Sequence, residues 1–185
     1  KFDMLVEMYT LDLDTRKGKA PGGYQYYLQK SRVPFIFMNA AGLQGDLETM
    51  IHEAGHAFHS IYCGHLELIG ERSYPIEFAE VASMSMELMT QNEWGEFYND
   101  EEANRARLGH LEGVIFLLPW IATIDSFQHW IYSNPGHTRD ERKAVWNSIR
   151  DRFGSNMEWG DYQGHRDTSW QQQGHLFGVP FYYVE

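Results

Sequence analysis

The chain has 185 residues, 43% of them hydrophobic and 22% charged, which suits a folded protein with a sizeable core and argues against wholesale disorder. Its formal net charge of −11, with Lys and Arg scattered rather than banded, argues against a nucleic-acid partner. The one cysteine, Cys63, excludes an intrachain disulfide and a cysteine-based zinc site, and it fits a reducing, cytoplasmic setting.

The first 40 residues carry strand and turn signals. Tyr9 to Leu13 alternate apolar and polar side chains, residues 15–19 read as a turn, and Pro21-Gly22-Gly23 interrupts the chain before an aromatic run over Tyr24 to Leu28. The run Val33 to Met38 predicts a short buried or edge strand. From Asp46, placed here as an N-cap, Leu47, Met50, Ile51, Ala54, Ala57, Phe58 and Ile61 recur at helical spacing, and Gly64 predicts the stop. Further helices are expected over about 76–92 and about 101–132, the latter kinked or broken at Pro119. Within it the apolar stretch Val114 to Ile124 falls short of the ~20 residues of a membrane span, so it reads as a buried helix and no membrane partner is expected. Thr138-Arg139-Asp140-Glu141 is a capping-box sequence opening a helix that ends near Gly154, and the last thirty residues look irregular. The expected fold class is mainly α (α+β), with a small β-region before the helix that starts at Asp46. The chain starts at Lys1 rather than a methionine, and the expectation is that residues 1–185 are a piece of a longer protein.

His52-Glu53-Ala54-Gly55-His56 lies on the Asp46 helix. Histidines four apart project from one helical face, so their imidazoles can share a zinc ion at roughly 2.0–2.1 Å. Glu53 sits at the edge of that face, where a carboxylate can accept a proton from water as the water attacks a carbonyl. This is the metalloprotease motif H-E-x-x-H. Gly55 inside the helix costs about 1 kcal/mol against alanine, so close approach of another backbone or of a substrate is expected there. A catalytic zinc takes a third protein ligand. The metzincin pattern is excluded because His59 and Tyr62 stand where it needs Gly and His. The ligand is therefore expected to be a carboxylate on the following helix, from Glu77, Glu80 or Glu87, and spacing does not choose among them. Glu48, four before His52, is the expected acceptor for that ring's spare N–H, and His59 is expected to pack nearby rather than to ligate.

Together with that motif, Leu11-Asp12-Leu13-Asp14-Thr15-Arg16-Lys17-Gly18-Lys19, Pro34 to Asn39, Phe78-Ala79-Glu80-Val81-Ala82-Ser83, His175 and Pro180-Phe181-Tyr182-Tyr183 resemble the thimet oligopeptidase and oligoendopeptidase F family of zinc peptidases, the oligoendopeptidase F branch above all. The resemblance implies a zincin-like helical catalytic core and one Zn2+ per chain on His52, His56 and Glu80. It implies Glu53 as general base, with His175 and a tyrosine, Tyr183 or its close competitor Tyr182, steadying the developing oxyanion. The implied function is a zinc metalloendopeptidase that hydrolyses internal bonds of short peptides, with residues 1–185 as the catalytic domain. Its rivals are a zinc carboxypeptidase of related site and a non-catalytic remnant that binds metal or peptide. Glu53 speaks against the remnant, since a purely structural metal site has no use for a base there.

Overall fold

The structure, a computed structural model, describes residues 1–75, 78–155 and 157–181, and it divides into two compact units, Lys1–Ala106 and Arg107–Glu185. The first unit opens with helix α1 (Phe2–Glu7), where strand and turn signals alone were expected. Leu5 of this helix is fully buried against the sheet core with Ile36, Met38 and Ala57, so tertiary packing decides a segment too short to be helical by propensity.

Strands β1 (Leu11–Asp14), β2 (Gly23–Leu28) and β3 (Val33–Ala40) form a sheet of order β1-β3-β2, with β1 parallel and β2 antiparallel to β3. The apolar run over residues 33–38 is thus the central strand. Pro34 is tolerated there because Ile36, two residues on and of the same parity, sends its N–H to Thr10 O of the β1 side. The N–H that Pro34 lacks would point to the same side, before the first β1–β3 pair at Leu11 and Ile36.

Helix α2 (Gln44–Cys63) packs across β3 and β2 and against helix α3 (Ala79–Thr90). Asp46 is its third residue rather than its cap, and its carboxylate accepts the N–H groups of Leu43 at 2.7 Å and Ala41 at 2.8 Å. The helix ends before Gly64, as expected.

Helix α4 (Asp100–Ser133) continues through Pro119 without a break. By length and composition it is apolar enough to cross a membrane, and 17% of its most apolar window is buried. Ile115, Phe116 and Leu118 are exposed while Ile124 is buried, so the stretch Val114 to Ile124 is buried at its end and not in its first half, where its hydropathy also suggests burial. Hydropathy records which surface favours burial, not which neighbour is present to cover it.

In the second unit, helix α5 (Arg139–Phe153) carries the expected capping box: Glu141 N–H donates to Thr138 Oγ1 at 3.2 Å, and Thr138 N–H donates to Glu141 Oε2 at 2.7 Å. The core of this unit is aromatic. Fully buried Trp146 meets Phe127 at 4.9 Å and Trp120 at 6.1 Å between ring centroids, both edge-on, and its indole N–H reaches Arg166 O at 2.9 Å. The last segment holds two short helices, α6 (Gln163–Thr168) and α7 (His175–Gly178). The molecule is mainly helical with one small sheet near its N-terminus, the architecture expected from the sequence.

Candidate metal centre

His52, Glu53 and His56 lie on the middle turns of α2, and Glu80 lies in the first turn of α3. The two helices approach so closely at this level that a Cβ on Gly55 would stand 2.6 Å from Ser83 Cα and 2.8 Å from Ala82 O. Only glycine admits the contact, which explains its presence inside a helix where it costs about 1 kcal/mol. The close approach brings Glu80 Oε2 to 3.1 Å from His52 Nε2 and 3.5 Å from His56 Nε2.

One ligand atom from each of His52, His56 and Glu80 falls within 4.8 Å of the other two, the one such cluster among the described residues. Two imidazole nitrogens and a carboxylate oxygen converging at this spacing form a donor set that could hold a metal ion, and it is one used for catalytic zinc. The surroundings fit as well. His52 Nδ1–H donates to Glu87 Oε1 at 2.6 Å, which orients the ring and leaves Nε2 directed at the cluster. Ser83 Oγ donates to Glu80 Oε2 at 2.7 Å and holds that carboxylate.

The electrostatics of the cluster follow from this geometry. Burial alone would lower the His52 imidazole, but hydrogen bonds to Glu80 and Glu87 prevail and push it up to about 10. Burial would likewise raise Glu80, yet hydrogen bonds from His52, His56 and Ser83 hold it well below the usual carboxylate range. Glu53 behaves differently. It is 6% exposed, and burial raises its carboxyl although the charges of His52 and His56 act in the opposite sense. The backbone N–H of Gln25 donates to it, so the free edge of β2 faces this carboxylate. Gly23 matters here for space, since a Cβ would stand 2.7 Å from Thr49 Cγ2 and 3.4 Å from Glu53 Oε1.

Of the residues singled out in the sequence, His52, Glu53, His56 and Glu80 come together. His175 opens α7 in the second unit, where its Nδ1 is 2.5 Å from Gln173 Nε2. Tyr182, Tyr183 and Glu77 lie outside the described residues. Glu48 does not take the spare N–H of His52: it accepts from Gln44 Nε2 at 2.5 Å on the exposed first turns of α2, while Glu87 reaches across from α3. The signal for Glu87 was present, because it sits two turns after Glu80 on the same helical face. His59 packs, as expected, stacking on Tyr74 at 4.1 Å.

The chain is similar to known proteins in sequence and in fold. The family model described as Peptidase family M3 matches residues 2–185. Oligoendopeptidase F, chromosomal, of Lactococcus lactis subsp. cremoris is 28% identical over 133 residues, covering 72% of this chain and 20% of that protein. Oligopeptidase PepF of Bacillus subtilis (strain 168) is 29% identical over 132 residues, covering 69% of this chain and 19% of that protein. The solved structure of PZ peptidase A with an inhibitor superposes with a TM-score of 0.91 at 36% identity, covering 99% of this chain and 33% of the other. The chain thus spans about a fifth of the length of these curated relatives and a third of the solved one. With a family match along nearly its whole length and this fold beneath it, the chain belongs to peptidase family M3 and is a relative of oligoendopeptidase F.

Proposed function

We propose that this chain is the catalytic part of a zinc-dependent endopeptidase that cleaves internal bonds of short peptides. The observation that carries the reading is the buried carboxyl of Glu53 standing beside the convergent His52, His56 and Glu80. In this reading His52, His56 and Glu80 hold one zinc ion, which when bound polarises a carbonyl and makes water more acidic. Glu53, raised by burial yet tied to the Gln25 N–H, acts as general base toward the attacking water and then returns the proton to the leaving amine. Glu87 and Ser83 keep His52 and Glu80 in their orientations. The edge of β2 facing Glu53 suits an extended peptide, which would add to it as a strand. His175 and Tyr183, with Tyr182 as the alternative, donate hydrogen bonds to the developing oxyanion, a role the family resemblance supports.

That the 185 residues belong to a longer chain is supported by their share of the relatives and by the exposed apolar residues of α4. A cytoplasmic setting is part of the same proposal, supported by a fold that uses no disulfide.

The test joins metal analysis to activity. The purified full-length protein is expected to carry one zinc per chain and to lose it in His56→Ala. Glu53→Gln is expected to keep the zinc and to lose about 10²–10⁴-fold in turnover of a defined internally cleaved peptide. Full activity in Glu53→Gln, or zinc retained in His56→Ala, would sink the assignment. Release of single C-terminal residues would identify a carboxypeptidase instead.

A further inference from the structure

One turn beyond His56 on α2, Ser60 enters the wall of a cavity of about 300 Å³ that also takes in Gln25, Tyr27, Gln29, Arg72 and Tyr74. Arg72 is 7% exposed and is the one charged residue in that wall. Its guanidinium is anchored by neutral groups: Nε donates to Leu66 O at 2.7 Å, one terminal nitrogen donates to Glu67 O at 2.8 Å, and the other to Gln29 Oε1 at 3.3 Å. Among the described residues no carboxylate pairs with it.

A buried cation held only by carbonyl oxygens is unusual in a chain of net charge −11, where carboxylates outnumber cations and none among the described residues pairs with it. A guanidinium carries five N–H donors, so two remain beyond these three bonds. Hydroxyl groups share the wall with it: among the described residues the buried Tyr27 hydroxyl has no partner, Ser60 Oγ accepts from Gln25 Nε2 at 3.4 Å, and Tyr74 lines the same cavity. A fixed guanidinium fork with unspent donors and neutral hydroxyls beside it is the chemistry that recognises a carboxylate.

The cavity's position relates it to the metal cluster. Gln25 lines it with its side chain while its backbone N–H holds Glu53, and Tyr74 is close enough to Glu80 to feel its charge. From Glu53 to Ser60 is seven residues of helix, about 10 Å, which an extended peptide spans in about three residues. We propose that this cavity is a subsite in which Arg72 receives a carboxylate of the peptide substrate, about three residues from the cleaved bond. The inference rests on the peptidase reading. The carboxylate comes from the peptide's own C-terminus or from an acidic side chain at that distance, and the two sources share one chemistry.

The experiment uses the full-length protein and three peptides of one sequence: a free C-terminal acid, its amide, and the amide with Glu three residues beyond the cleaved bond. Cleavage of the acid is expected to exceed that of the plain amide by about 10- to 100-fold in kcat/KM, carried by KM, as a charged hydrogen-bonded pair supplies. Rescue by the internal Glu assigns the site to side chains as well as termini, and no rescue assigns it to the terminus alone. In Gln29→Glu an anion is set against Arg72 without removing its anchors, and the acid-to-amide ratio is expected to fall to about one. A ratio near one in the unaltered protein, with no gain from the internal Glu, overturns the proposal, as does a ratio unmoved by Gln29→Glu. If none of the peptides is cleaved, the peptidase reading fails by itself. Calorimetric binding of N-acetyl-trialanine acid against its amide then decides the subsite, and equal binding overturns it.

Discussion

The two units bury different materials. Lys1–Ala106 encloses the charged groups of Glu53 and Arg72 beside an apolar core that includes Leu5, Ile36 and Trp94, whereas Arg107–Glu185 buries no Asp, Glu, Lys or Arg among its described residues and closes on the rings of Phe127 and Trp146. Buried polar side chains of the second unit bond to backbone carbonyls, Thr123 Oγ1 to Pro119 O at 2.8 Å and Gln128 Nε2 to Val179 O at 3.4 Å. In the first unit they face one another across two helices that nearly touch at Gly55 and Ser83. Large rings gain stability from apolar area, while small residues let backbones approach until ligating side chains converge. The difference suggests that one unit is built for stability and the other holds charged groups together at some cost to it.

That contrast can be broken by substitution. Trp146→Ala removes a fully buried ring and an indole hydrogen bond, and a loss of about 3–5 kcal/mol is expected in denaturant unfolding. Zinc content of the chain that remains folded should be unchanged, and a parallel loss of metal would show that the two units are not separable in this way. Gly55→Ala places a methyl group against the α3 backbone and is expected to cost about 1–3 kcal/mol while removing bound zinc, because α3 must retreat and take Glu80 with it. Zinc bound as before in Gly55→Ala would mean that the helix contact does not set the ligand spacing. Glu87→Gln should do less, weakening zinc affinity about 10- to 100-fold in competition with a chelator, with little change in unfolding. An unchanged affinity would leave Glu87 as a neighbour of His52 and nothing more.

Much of the site was legible because it is local. A four-residue interval on a helix puts His52 and His56 on one side whatever surrounds them, and the Thr138–Glu141 capping box is written in four consecutive residues. The choice between Glu80, Glu77 and Glu87 was not legible in the same way. All three lie more than twenty residues past the histidines, and helical spacing states which side chains share a face but not which face meets α2. Glu48 was a reasonable local guess for the His52 N–H, yet the acceptor came from α3. Segment α1 and the exposed middle of α4 were misread for related reasons: one is helical because Leu5 finds a core to enter, and the other is apolar without a described neighbour to bury it.

The sequence by itself determined the chemistry available: two imidazoles and a carboxylate at helical spacing, a glycine whose cost called for a reason, and a family resemblance along most of the chain. Only the tertiary structure decided that the reason for Gly55 is the backbone of Ser83, that Glu80 meets both histidines, and that Glu87 orients one of them. Among the described residues it also left Arg72 buried without a carboxylate partner. Spacing along one helix follows from its repeat, but contact between helices depends on side chains far apart in sequence competing for the same space.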